Sequence, residues 1–218
     1  MKKVLFIFFL VIIYIVIITE KLEPSFVEKI DLNLKENEVG ITFISLTDSK
    51  SLLINRGNRK ILVILEYLNS HKINNALKLF GAESLDYIVM NNNYSVDITA
   101  KNNIIIGNKE IELYDIDFSI KNDVLKIEYQ DHDLCIYQKE NPRKLTENCH
   151  YIYFLKVDKN LNINDSVNMI FYDEDTNPDY LESIFDKWID IYMIKKNYYV
   201  TLKLDEDTYD TITLPIYK

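Results

Sequence analysis

Glycine is nearly missing from this chain, with 4 residues in 218, against an ordinary usage of about 7%. Loops that cradle phosphates or pass backbone close to a metal depend on glycine, so a glycine-rich nucleotide loop is excluded. A basic surface is missing too. There are 25 lysines and arginines against 34 acidic residues, and Lys2 and Lys3 are the only charges in residues 1–19. Beyond residue 19, 23 basic residues therefore face 34 acidic ones. Such a surface repels phosphate backbones and offers no counterion release. Its basic clusters are short: Arg56/Arg59/Lys60, Arg143/Lys144 and Lys195/Lys196. Cysteine is limited to Cys135 and Cys149. A bond closing that loop of about 15 residues would contribute roughly 3 kcal/mol in an exported domain. Two unrelated free thiols are the other reading, with Cys135 a core residue between Leu134 and Ile136.

What is present begins with an apolar run from Val4 to Ile18, interrupted only by the hydroxyl of Tyr14. As a helix, about 16 residues reach roughly 24 Å, just short of a hydrocarbon core. Ile17-Ile18-Thr19-Glu20-Lys21 offers no small-residue cleavage pattern. The segment 1–19 is therefore expected to be an uncleaved signal-anchor, contacting the membrane through residues 4–19; a cleaved signal and secretion is the alternative. Lys2 and Lys3 stay in the cytoplasm by the positive-inside rule. That orientation makes a single-pass protein of the bacterial cytoplasmic membrane with its C-terminal domain outside. Residues 20–37, charged and containing Pro24, read as a linker. Residues 38–218 read as one domain.

Within that domain strands dominate. ITFISL (41–46), SLLIN (51–55) and KILVILEYL (60–68) carry the β-branched and aromatic enrichment of buried sheet. A turn at Asn55-Arg56-Gly57-Asn58 separates the second from the third. Ile73, Ala76, Leu77 and Phe80 share one helical face, and Gly81 sits at the C-cap. Strands follow at 85–90, 103–107, 111–120, 124–130, 133–138, 151–157 and 168–172. Asn177-Pro178 starts an amphipathic helix carrying Leu181, Ile184, Phe185 and Trp188. Two final strands span 189–194 and 198–204.

The wording of several segments resembles the metallo-β-lactamase superfamily, and within it the soluble domain of ComEC-type competence proteins. FISLTDSKSLLI, from Phe43 to Ile54, overlays that family's FLDVGQGDSILI without a gap. GNRKILVI (57–64) matches its G-K-x-ILID strand, and LDYIVMN (85–91) stands where it has IDYLILTH. ESIFDKWIDIYMIKKNYYVTLKL (182–204) follows its last helix and hairpin. The resemblance covers most of residues 38–205. It implies an α/β (α+β) fold: an αββα sandwich of two mixed sheets with helices outside, behind one N-terminal transmembrane helix. It also implies a dinuclear metal site, usually zinc, that activates water.

The metal ligands of the family do not carry over. Its His-x-His-x-Asp-His loop falls on Asn91, Asn93, Ser95 and Val96. Its strand-end Thr-Gly-Asp falls on Tyr137-Gln138-Lys139, which puts a cation at Lys139 where two metals need an anion. The later histidine pair falls near Asp158-Lys159-Asn160, and Asp-x-Gly near Ile64-Leu65-Glu66. Neutral amides and hydroxyls do not replace imidazoles for zinc. The chain is expected to use no cofactor and to be no enzyme.

Other ligand-like residues have ordinary readings. Asp131-His132-Asp133 suits a turn, because neighbouring residues of a strand face opposite ways. Cys149-His150 with Cys135 lacks the ligands for a tetrahedral site. His71 reads as solvated at a helix start. Asp173-Glu174-Asp175 reads as charge at a helix N-terminus, because a calcium loop would need a central glycine and a distal glutamate. Asp205, Glu206, Asp207 and Asp210 read as a solvated acidic edge.

Three functions follow in order. The first is a non-catalytic binding or scaffolding module at the bacterial envelope, with a protein partner ahead of peptidoglycan or DNA. The second is a metal-dependent phosphoesterase or nuclease with ligands rearranged onto Asp131, His132, Asp133 and His150. The third is an unrelated exported β-rich interaction domain, in which Ser51 and Asn91 would not share a sheet edge.

Overall fold

A computed structural model describes residues 29–46, 49–67, 70–92, 94–107, 109–138, 148–156, 163, 166–173, 179, 189–194 and 198–215. Residues 1–28, which hold the expected anchor, lie outside this set, as does the helix expected from Asn177. Among the described residues no helix is long and apolar enough to cross a membrane.

Two seven-stranded sheets make up the domain. The first is built from β1 (Val39–Leu46), β2 (Ser49–Arg56), β3 (Arg59–Tyr67), β4 (Leu85–Met90), β5 (Ala100–Ile105), β13 (Tyr198–Leu204) and β14 (Tyr209–Pro215). Its order is β14-β13-β1-β2-β3-β4-β5, antiparallel up to β3 and parallel beyond it. The second contains β6 (Ile111–Leu113), β7 (Ile116–Lys121), β8 (Val124–Tyr129), β9 (His132–Tyr137), β10 (Tyr151–Phe154), β11 (Met169–Asp173) and β12 (Asp190–Ile194). Its order is β12-β11-β10-β9-β8-β7-β6, antiparallel from β6 to β9 and parallel from β9 to β12.

The sheets pack face to face because alternate residues of each strand are apolar on the inner side. Phe43, Leu52, Ile54 and Val63 of the first sheet meet Ile136, Tyr153 and Phe171 of the second. Phe43 lies at the centre, stacked on Phe171 at 4.2 Å and edge-on to Tyr153 at 5.1 Å. The outer face of the first sheet is covered by α1 (Ser70–Leu79), whose Ile73, Ala76 and Leu77 are buried with Phe80 just beyond it. Gly81 terminates α1 at φ 58°, and the ammonium of Lys60 bonds the carbonyls of Phe80 and Gly81 at 3.2 and 2.8 Å. A further apolar layer on the second sheet includes Cys135 and Cys149, which form a disulfide with Cα atoms 6.0 Å apart.

The two mixed sheets match the fold expected from sequence, but the described residues are mostly sheet, with α1 their single α-helix. Three segments differ from expectation. The run 111–120 is two strands, because Tyr114 and Asp115 both adopt positive φ and turn the chain without glycine. The strand at 103–107 begins earlier, at Ala100, where polar Lys101, Asn102 and Asn103 lie exposed. Last, β14 was not expected. Its apolar residues are sparse because it is an edge strand, stabilised by pairing along the whole of β13.

Candidate functional site

One rim of the sandwich collects strand ends from both sheets. In the first sheet, Ile44, Ser51, Ile64, Met90 and Ile105 form one row across β1, β2, β3, β4 and β5. Asn91 is the next residue after that row. Ser51 and Asn91 thus share a sheet edge, contrary to the unrelated-fold reading. In the second sheet, Tyr137, Phe154 and Tyr172 form the corresponding row across β9, β10 and β11. Gln138, Leu155 and Asp173 follow it by one residue each. Parallel pairing brings these ends together, as the polar exits of parallel strands always gather on one side.

Two polar connections cross between the sheets here. The Asn91 side-chain amide donates to Gln138 Oε1 at 2.6 Å. Residues aligned with two separate ligand regions therefore meet in one hydrogen bond, while the buried Gln138 Nε2 has no partner among the described residues. The second connection is ionic. Lys50, at the start of β2, is only 8% exposed. Its ammonium donates to the Leu155 carbonyl at 3.1 Å and lies 3.7 Å from both Asp173 Oδ1 and Glu66 Oε2. Asp173 is 1% exposed, and its other oxygen accepts from the Ser45 hydroxyl. Tyr153 lies close by, and burial first, then the charges of Asp173 and Glu66, push its phenol well above the ordinary range.

These residues do not fit a dinuclear zinc centre. Zinc requires imidazole, thiolate or carboxylate ligands. Here two amides bond each other, and an ammonium occupies the space beside the buried carboxylate. Among the described residues no three His, Cys, Asp or Glu side chains converge as a metal would require. Asn93, Lys139 and 158–160 lie outside the described residues. Ser95 is exposed, and Val96 packs against the apolar layer beneath α1. Neither is joined to the Asn91–Gln138 pair by a described contact.

The residues proposed for rearranged ligands do not converge either. His132 and Asp133 leave β9 on opposite faces. His132 accepts from the Tyr151 hydroxyl at 2.9 Å and faces the Asp205 carbonyl at 2.7 Å. Asp133 meets Lys126 at 3.4 Å and His150 at 2.7 Å. Asp131 occupies the turn before them. The basic cluster is engaged as well. Arg56 pairs with Asp115 at 2.6 Å, Arg59 stacks over Tyr114 at 4.9 Å, and Lys60 caps α1. A groove of about 450 Å³ lies elsewhere, beside α1, among His71, Asn75, Asp97 and Thr99.

Sequence reasoning missed Lys50 and misplaced Asp173. Asp173 is no helix-terminal charge: it closes β11 and is buried. Neither stood out locally: Lys50 lies between Ser49 and Ser51 close to Asp48, and Asp173 opens the acidic run Asp173-Glu174-Asp175.

No family model matches the chain, and no curated protein matches it in sequence. Among solved structures it is similar to the metallo-beta-lactamase fold protein YhfI from Bacillus subtilis, with a TM-score of 0.53 and 8% identity. The match covers 74% of this chain and 98% of that one. The chain therefore has the metallo-β-lactamase fold, and identity that low carries the fold alone.

Proposed function

We propose that this protein is a catalytically inactive, ComEC-like member of the fold, working as a membrane-anchored binding or scaffolding module at the bacterial envelope. The observation that carries the reading is the Asn91–Gln138 amide pair. Two neighbouring ligand regions hold groups that bond to each other and supply no charge to a metal. On the same rim the Lys50 ammonium, a positive charge, lies beside the buried Asp173 carboxylate, whereas a dinuclear centre needs negative charge left free for its metals. The acidic balance beyond residue 19 favours a protein partner over nucleic acid. The apolar run from Val4 to Ile18 supports the anchor.

The test is metal content and hydrolysis by the full chain purified in detergent. Emission analysis is expected to find well below one zinc or manganese per chain. Phosphodiester cleavage is expected to stay at background with zinc, manganese or magnesium added. Stoichiometric metal with metal-dependent turnover would sink the reading and favour a rearranged hydrolase. The anchor is tested separately by membrane fractionation with and without residues 1–19.

A further inference from the structure

Lys50 is the most deeply buried lysine among the described residues. Lysine is almost never buried without a partner, because removing its charge from water is costly. Its described polar contacts are all with oxygen and come from three segments, with a fourth supporting one of them. The Leu155 carbonyl follows β10, the Asp173 carboxylate ends β11, and the Glu66 carboxylate lies near the end of β3. Ser45, near the end of β1, holds the second oxygen of Asp173. An ammonium presents three protons, and three oxygens from three strands stand within 3.7 Å of it.

We propose that Lys50 is the resident cation of this rim: a tethered ammonium that balances Asp173 and Glu66, joins the two sheets, and fills the position a free cation would take among these oxygens. The proposal rests on the reading that the rim holds no metal centre. It also gives the rim a physical logic. An oxygen-lined pocket with a buried carboxylate needs positive charge, and a covalently attached one is present at every concentration of free metal. Tyr153 does not disturb the balance, since its phenol stays neutral. Breaking such a pair removes the charge that balances a buried group, whereas removing both charges is far milder.

The experiment is thermal unfolding of the full chain in detergent for Lys50→Met, Asp173→Asn and the double variant. Lys50→Met is expected to melt roughly 10 °C lower, and the double variant is expected to recover more than half of that loss. A Lys50→Met midpoint equal to the unaltered protein's overturns the proposal. A double variant that loses the sum of both singles does the same. Should Lys50→Met not fold, the double variant decides: folding supports the charge balance, and failure overturns it. A second arm uses Lys50→Ala. Two carboxylates, a hydroxyl and a carbonyl suit calcium, so millimolar calcium is expected to raise its midpoint above a potassium control of equal ionic strength. The unaltered protein is expected not to respond. A Lys50→Ala variant indifferent to calcium overturns the cation position. These readings come from melting of variants, so they fail independently of the metal content of the unaltered protein.

Discussion

The two ends of the sandwich are tied by different chemistry. At the rim of Asn91 and Gln138, the sheets are joined through a buried ion pair, Lys50 with Asp173, and an amide pair. At the opposite end the buried Glu38 pairs with Lys203 inside the first sheet, and the ties that leave that sheet run through a phenol, an imidazole and backbone carbonyls. Tyr129 donates its hydroxyl to the Asn37 carbonyl at 2.6 Å, and His132 links Tyr151 to the Asp205 carbonyl. The charged crossing there, Arg56 to Asp115, is at the surface, with Asp115 74% exposed against 1% for Asp173. The lesson is about water. A charge whose partner is lost at the surface is solvated at once, but at the rim it is stranded.

Deleting one group from each end would sharpen or break this contrast. The largest loss is expected from Asp173→Ala, which removes the buried partner of Lys50 and leaves it only the half-exposed Glu66 carboxylate: about 3–5 kcal/mol by urea unfolding. A loss under about 1 kcal/mol would mean that water reaches the rim and the contrast is false. His132→Leu comes next, at about 1–3 kcal/mol, because it unpairs the Tyr151 hydroxyl and Asp205 carbonyl without stranding a charge. Asp115→Ala is expected to be the mildest of the three, within about 1 kcal/mol, and to lose even that in high salt.

A pH scan separates charge from packing in the same way. At the start of β4, the hydrogen bond from Lys101 holds the Asp86 carboxyl below its ordinary range; burial opposes this, and the Lys60 amide and Arg59 assist. A carboxyl held low when folded adds stability above its unfolded value, near pH 4, and loses it as pH falls through the folded value. Asp86→Asn is therefore expected to be less stable than the unaltered protein at pH 7. The gap in urea midpoint should close as pH falls well below 4. A gap constant with pH would assign the effect to packing.

Much of the fold was legible because periodicity reports burial directly. The face Ile73, Ala76 and Leu77 appeared as expected on α1 with Phe80 just beyond it, and LDYIVM is β4. One break that escaped notice, inside 111–120, depended on a turn made without glycine. Tyr114, Asp115, Asn122, Asp123 and Gln130 all take positive φ, a conformation that costs most residues roughly 1–2 kcal/mol and asparagine and aspartate less. Near Asn122-Asp123 the polar pair could be read as a turn. At Tyr114-Asp115 the tyrosine hid it.

The candidate site divides in the same way. Asn91 stood out from the wording of the strand before it, whereas the residue marked after β9 was Lys139 and its neighbour Gln138 emerged only as the partner of Asn91; Ser95 and Val96 belong to a loop that turns away toward α1. Sequence could mark which residues end a strand, since each strand's own pattern ends there. It could not say which strand ends meet, because that depends on parallel pairing between segments dozens of residues apart.

By itself, then, the sequence determined most of the strands, the face of α1 and the poverty of glycine that excludes phosphate-cradling loops, all of them properties of short segments. Two cysteines left a disulfide open, and only the packing of Cys135 beside Cys149 closed it. Only the tertiary structure decided that Lys50 and Asp173, separated by most of the domain, share one water-poor rim. Burial of a charge is a property of everything around it, and no local pattern contains that.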